Sequence, residues 1–358
     1  MKRRLTVVAV AVGSLFLMGA GKSEDIKLLK EARKYFEPLP EVADSKENPV
    51  TSEKVKLGKM LYYEPRLSKS GLISCNTCHN LATYGVDNLP TSVGHRWAIG
   101  PRNAPTTLNA ALHVAQFWDG RAKDVEEQAK GPILNPIEMA MDSPEEVIKR
   151  LKSIPEYVKL FKKAFPNEKN SLTYDNVAKA IAAFERTLMT PSRFDKFLKG
   201  DLNALTKKEK EGLRTFIKVG CANCHNGPAL GGNMFARFGI VEAYWEATRE
   251  YVTLEKPTMP MDVGKFAVTH KEEDLYVFKV PSLRNISRTY PYFHDGSIWN
   301  LEDAVQVMAK VQLGKELTKD QVDKIVAFLK ALDGEIPKYA LELPVLPAST
   351  SKTAKPVR

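Results

Sequence analysis

Four cysteines occur in the chain, and all four stand in two copies of one arrangement, Cys75-Asn76-Thr77-Cys78-His79 and Cys221-Ala222-Asn223-Cys224-His225. Two thiols at i and i+3 can each bond one vinyl group of a single haem, and a histidine directly after them falls beneath the iron as its proximal ligand. A bare Cys-x-x-Cys fits a dithiol redox pair or half a zinc site. The adjacent histidine, present twice, favours covalent haem instead. On this reading His79 and His225 are the proximal ligands, Cys75, Cys78, Cys221 and Cys224 carry the two c-type haems, and no cysteine is left for a disulfide.

What occupies the sixth position of each iron decides between electron transfer and catalysis. The remaining histidines are His95, His113, His270 and His294. His95 is the best candidate, because Gly94 and Gly100 flank its segment and would let it move; His113 and His270 read as surface or hydrogen-bonded residues. A thioether ligand raises the potential of a haem and suits the iron that accepts electrons. Met234, Met259, Met261 and Met308 all follow Cys221, and spacing does not separate them.

The elements that must position these groups read as helices. Ser143-Pro144-Glu145-Glu146 is a helix start. Val177, Ile181, Phe184 and Leu188 recur at helical spacing before Pro191, and Thr318 precedes an apolar face of Val322, Ile325, Val326 and Leu329. No stretch alternates with strand period. The two haem motifs are too far apart for one compact haem fold, and the amphipathic stretches before them, Val55 to Tyr63 and Lys210 to Ile217, echo each other like a diverged duplication. The expected class is all-α: two cytochrome c-like domains, each with one covalently bound haem, at 21–190 and 191–342, followed by a Pro/Ser/Thr/Lys-rich surface tail at 343–358.

At 358 residues, 43% hydrophobic and 27% charged, the chain has the composition of a globular protein. Its net charge is +10, of which Lys2, Arg3 and Arg4 supply three. Those residues, the apolar run Leu5 to Met18 and the small residues Gly19-Ala20-Gly21 follow the order of a secretory signal over 1–20, too short for a membrane span. Export to the periplasm and a mature protein without a membrane span are expected. No basic stripe interleaved with aromatics suggests nucleic acid.

Further motifs carry a resemblance. Gly94-His95, Gly100 to Thr106, Gln116-Phe117-Trp118-Asp119-Gly120-Arg121, Gly131 to Met139, Lys279 to Asn285 and Tyr292 to Ser297, together with both haem motifs, resemble the bacterial di-haem cytochrome c peroxidases across nearly the whole mature length. The resemblance implies an enzyme, a cytochrome-c peroxidase that reduces hydrogen peroxide to water with electrons from a small cytochrome or similar donor. It implies a low-potential peroxidatic haem on Cys75/Cys78 with His95 as a removable ligand, and a high-potential haem on Cys221/Cys224 with Met308 opposite His225. It also implies Glu138 as the distal carboxylate, Gln128 as a pocket amide, Trp118 between the haems, and Ca²⁺ held by oxygens of Asn103, Thr289 and Pro291. His294 is expected to support the second haem, and a homodimer is expected from the family. Two rivals remain: a di-haem electron-transfer cytochrome without peroxidase turnover, and the related maturase branch, which has tyrosine where Met308 stands.

Overall fold

The computed structural model describes residues 22–248, 251 and 261–357. The signal expected over 1–20 and the candidate ligand Met259 lie outside these residues. The described chain is mostly helical. Residues 22–32 (α1) precede Ser52–Tyr62 (α2), Val125–Leu134 (α3), Pro144–Lys152 (α4), Pro155–Ala164 (α5), Tyr174–Glu185 (α6), Arg193–Leu198 (α7), Lys207–Val219 (α8), Leu301–Leu313 (α9) and Lys319–Lys330 (α10). Two three-residue strands, Phe235–Arg237 (β1) and Val277–Lys279 (β2), pair antiparallel with Phe235 opposite Lys279. They are too short to declare themselves by alternation.

Local chemistry accounts for the helix starts. Thr51 caps α2 by accepting from the Lys54 amide, Ser143 caps α4 from Glu146, and Thr318 and Gln321 cap α10 reciprocally. In α6 the residues at helical spacing, Val177, Ile181 and Phe184, are fully buried, as is Leu188 just beyond its end.

Two cores result. One gathers α2 to α6 around Leu57, Leu61, Phe161, Ile181 and Phe184; the other gathers α1 and α7 to α10 around Phe36, Phe194, Phe216, Ile325 and Phe328. The chain ends are exchanged between them. Leu28, Leu29, Ala32 and Phe36 pack into the second core, while Ala340 packs into the first. The 343–358 tail also returns to the first half: Arg66 donates to the Pro347 carbonyl (2.8 Å), Thr350 to the Ser153 carbonyl (2.8 Å), and the Val357 amide to the Lys69 carbonyl (3.2 Å). Division by chain order at 190/191 therefore describes the middle of each half and not its ends. No helix among the described residues is long and apolar enough to cross a membrane.

The halves repeat each other at one close contact. A Cβ on Gly58 in α2 would lie 1.8 Å from the Ala180 carbonyl oxygen of α6, and a Cβ on Gly212 in α8 would lie 1.9 Å from that of Lys324 in α10. In both halves the helix before the haem motif thus crosses the later helix backbone to backbone, and only glycine permits it.

Candidate haem centres

In the first half Cys75–Cys78 forms a single helical turn started by Ser74, whose amide is bonded by Thr77 Oγ1 (2.9 Å). In the second, Gly220 ends α8 at φ 111° and opens the turn Cys221–Asn223, a backbone angle that glycine adopts without strain. All four thiols are free. Burial raises each of them, Cys78 and Cys221 to about 11. Burial also lowers the His79 and His225 imidazoles, His225 to about 4, which favours the neutral form that a metal ligand requires. Carbonyls of Leu230 and Pro281 flank the His225 ring, and those of Pro105 and Gly85 flank His79, but neither Nδ1 makes a hydrogen bond of normal geometry. The His79 carbonyl is held by the Tyr62 hydroxyl (2.6 Å).

Around the second motif lies an apolar cavity of about 1700 Å³, part of it open to solvent. Cys221, Cys224 and His225 line it, as does Met308 from α9. Neither Met234 nor Met261 does, and Met261 is exposed. An imidazole and a thioether around one apolar space fit a haem. His294 is buried on the same wall, stacked on Phe278 (4.3 Å between ring centres) with Nε2 3.1 Å from the Tyr244 hydroxyl. His113 also faces this cavity, its Nδ1 3.0 Å from Lys279 Nζ, whereas His270 is exposed.

The first motif faces a different distal wall. His95 is buried with Nδ1 unpartnered, and its amide donates to the Glu138 carbonyl (2.9 Å). A Cβ on Gly94 would meet the Ile137 carbonyl at 2.0 Å, so Gly94 serves close packing of the His95 turn rather than looseness. The turn is closed by a bridge between Val93 and Ile99, with Arg96 and Trp97 at positive φ. The Glu138 carboxylate accepts from Asn135 Nδ2 (2.6 Å). Burial raises it above the usual carboxylate range, with Asn135 and the charge of Arg121 opposing. Its charge is felt at both Cys75 and Cys78, which places it beside the first motif. Gln128 sits half-buried on α3, the helix that runs into the Glu138 loop.

Trp118 and His294 occupy equivalent turns. Phe117-Trp118-Asp119-Gly120 and Phe293-His294-Asp295-Gly296 each have positive φ at phenylalanine and glycine, and each turn is closed by a bridge, Gln116 to Ala122 and Tyr292 to Ile298. α3 and α9 then start in the same register, capped by Asp124 and Asn300. Pro132 stands as far beyond Gly120 as Met308 does beyond Gly296. Where the second half offers a thioether, the first therefore offers a proline with no donor. The repeated Phe-x-Asp-Gly was the signal in the sequence that could have aligned the two helices and singled out Met308.

Asn103, Thr289 and Pro291 come together along the same cavity. The Asn103 amide donates to the His294 carbonyl (2.7 Å), its side chain to Leu89 O (2.9 Å), and Asn88 Nδ2 to Tyr290 O (2.8 Å). Trp118 lines the cavity and donates its indole N–H to Asn103 O (2.9 Å). The junction of the two halves is thus built from the segments around 103, 118 and 290.

The family model described as di-haem cytochrome c peroxidase matches residues 52–203. The chain is 48% identical to the cytochrome c551 peroxidase of Pseudomonas aeruginosa over 96% of its length and 97% of the relative's. It is 46% identical to that of Nitrosomonas europaea over 99% and 98%. The crystal structure of a MauG-like protein associated with microbial copper homeostasis superposes with a TM-score of 0.72 at 27% identity, covering 86% of this chain and 97% of that one. With two haem motifs, two matching cores and similarity over the full length of such relatives, the chain belongs to the di-haem cytochrome c peroxidase family.

Proposed function

We propose that this protein reduces hydrogen peroxide to water in the periplasm, taking two electrons per turnover from a small cytochrome or similar donor. The observation that carries the reading is the inequality of two otherwise matching halves, with Met308 on α9 where α3 has Pro132. His225 and Met308 would hold one haem iron, and a thioether ligand would suit that haem to receiving electrons. His79 would hold the other iron, with His95 as a displaceable ligand.

Haem iron, when bound, supplies the site for peroxide and the electrons for breaking its O–O bond. This chain's own residues handle the protons. Glu138, desolvated and oriented by Asn135, takes the proton from the iron-side oxygen of peroxide and returns it to the departing oxygen, with Gln128 lending an amide to the pocket. Two electrons and two protons per peroxide give two waters. Trp118 lies at the junction, where it would bridge the two haems, and Ca²⁺ bound by Asn103, Thr289 and Pro291 would brace the same junction with hard oxygen ligands. Covalent attachment through the four thiols, the signal over 1–20 and a homodimer complete the proposal.

A di-haem relay without turnover needs no shielded distal acid, so Glu138 argues against it, and Met308 argues against the maturase branch. The deciding experiment adds peroxide to protein reduced by one electron. Rapid oxidation with sustained turnover supports the peroxidase; an inert protein supports the relay.

A further inference from the structure

The cavity around Cys221, Cys224 and Met308 has one lining group that the reaction above does not use. Lys279, the last residue of β2, is only 5% exposed, and its backbone is pinned by donation to Trp118 O (2.8 Å). Among the described residues its ammonium meets one hydrogen-bond partner, Nδ1 of His113 at 3.0 Å, which can accept but brings no charge. Burial drags the lysine down, to about 8, and among the described residues no carboxylate acts on it. The cavity wall among the described residues contains neither aspartate nor glutamate. Its other full cation, Arg237, is exposed to water beside the Tyr276 ring. A buried ammonium without an anion is costly enough that proteins pair it or neutralise it. Here no described residue supplies an anion, and Lys279 lines the cavity that a haem would fill.

We infer that Lys279 is the counterion of a propionate of the haem carried on Cys221 and Cys224, and that it holds this haem's potential up. The inference rests on the haem reading of that cavity. Removing the cation leaves the propionate's charge uncompensated in an apolar setting, which disfavours reduction of the nearby iron. His113 orients the ammonium, and Lys279 is a positioning residue rather than a catalytic one.

The test uses full-length exported protein, with haem counted first as its pyridine complex. A wild-type protein without the second haem would defeat the haem reading itself. With both haems present, spectroelectrochemical titration of Lys279→Met and Lys279→Gln should show a lowered potential for the second haem, newly dependent on pH near neutrality. Lys279→Arg should restore it, and the first haem should stay unchanged. An unchanged second-haem potential at full loading, or a shift confined to the first haem, overturns the inference. Should both neutral variants fail to take up the second haem, rescue by arginine supports the charge requirement. Failure of all three marks Lys279 as packing and overturns it.

Discussion

Replacing Glu138 with glutamine isolates proton transfer from every other duty of that residue. The His95 turn is fastened to residue 138 through its backbone carbonyl, which the substitution leaves in place. Asn135 donates to Oε1, and glutamine keeps an oxygen acceptor there. What disappears is the ability to accept a proton and give it back. General acid–base assistance of this kind is worth roughly 10²- to 10⁴-fold, or about 2.7–5.4 kcal/mol at 1.36 kcal/mol per tenfold. Peroxide-dependent oxidation of a reduced cytochrome should therefore fall in kcat/KM by at least a hundredfold at equal haem content. Burial raises the Glu138 carboxyl, so the base form is lost as pH falls through a value above the ordinary 4.5. The acid limb of the wild-type profile should accordingly lie above that value and vanish in Glu138→Gln. A loss below about tenfold, with an unchanged acid limb, would refute the assignment.

Removal of His95 should free the first iron: His95→Gly is expected to turn over peroxide without prior reduction, and persistent dependence on reduction would remove the switch. Gly58→Ala and Gly212→Ala each force a Cβ to within 2 Å of a carbonyl oxygen. Each should lower stability in urea by about 1–3 kcal/mol or more, whereas neutrality would mean that the crossings relax freely. Glu185, fully desolvated in α6 and beside the charge of Glu126, is raised to about 8, with Arg186 opposing. The unfolded chain releases this proton near 4.5 and the fold keeps it to about 8, so stability should decline across that window as pH rises. Glu185→Gln should flatten that part of the stability–pH curve, and an unaltered slope would contradict the buried neutral acid.

Much of the proposed chemistry was legible because Cys-x-x-Cys-His carries its spacing within five residues. The starts of α4 and α10 were legible for a different reason, since capping is settled within four residues. The partner of an amphipathic helix is a tertiary matter, and nothing in residues 22–36 announces that they cover the second core. Gly58 and Gly212 look like costs within helices until the crossing carbonyl is seen. Gly94 misled in the opposite way, suggesting mobility where it serves contact with Ile137. Four methionines were equivalent by sequence, and the cavity distinguishes Met308 among those described. Lys279 opens the Lys279 to Asn285 motif, but its isolation from carboxylates among the described residues exists only in three dimensions.

The claim that organises this account is that the two haems are unequal. Electron paramagnetic resonance with matched absorption spectra, recorded fully oxidised and after one-electron reduction, counts the strong ligands on each iron. One haem should be reduced first with histidine–methionine character, accompanied by conversion of the other from low to high spin as His95 leaves. Two haems that both remain low-spin after the first electron, or a second haem without a methionine signature, would contradict it.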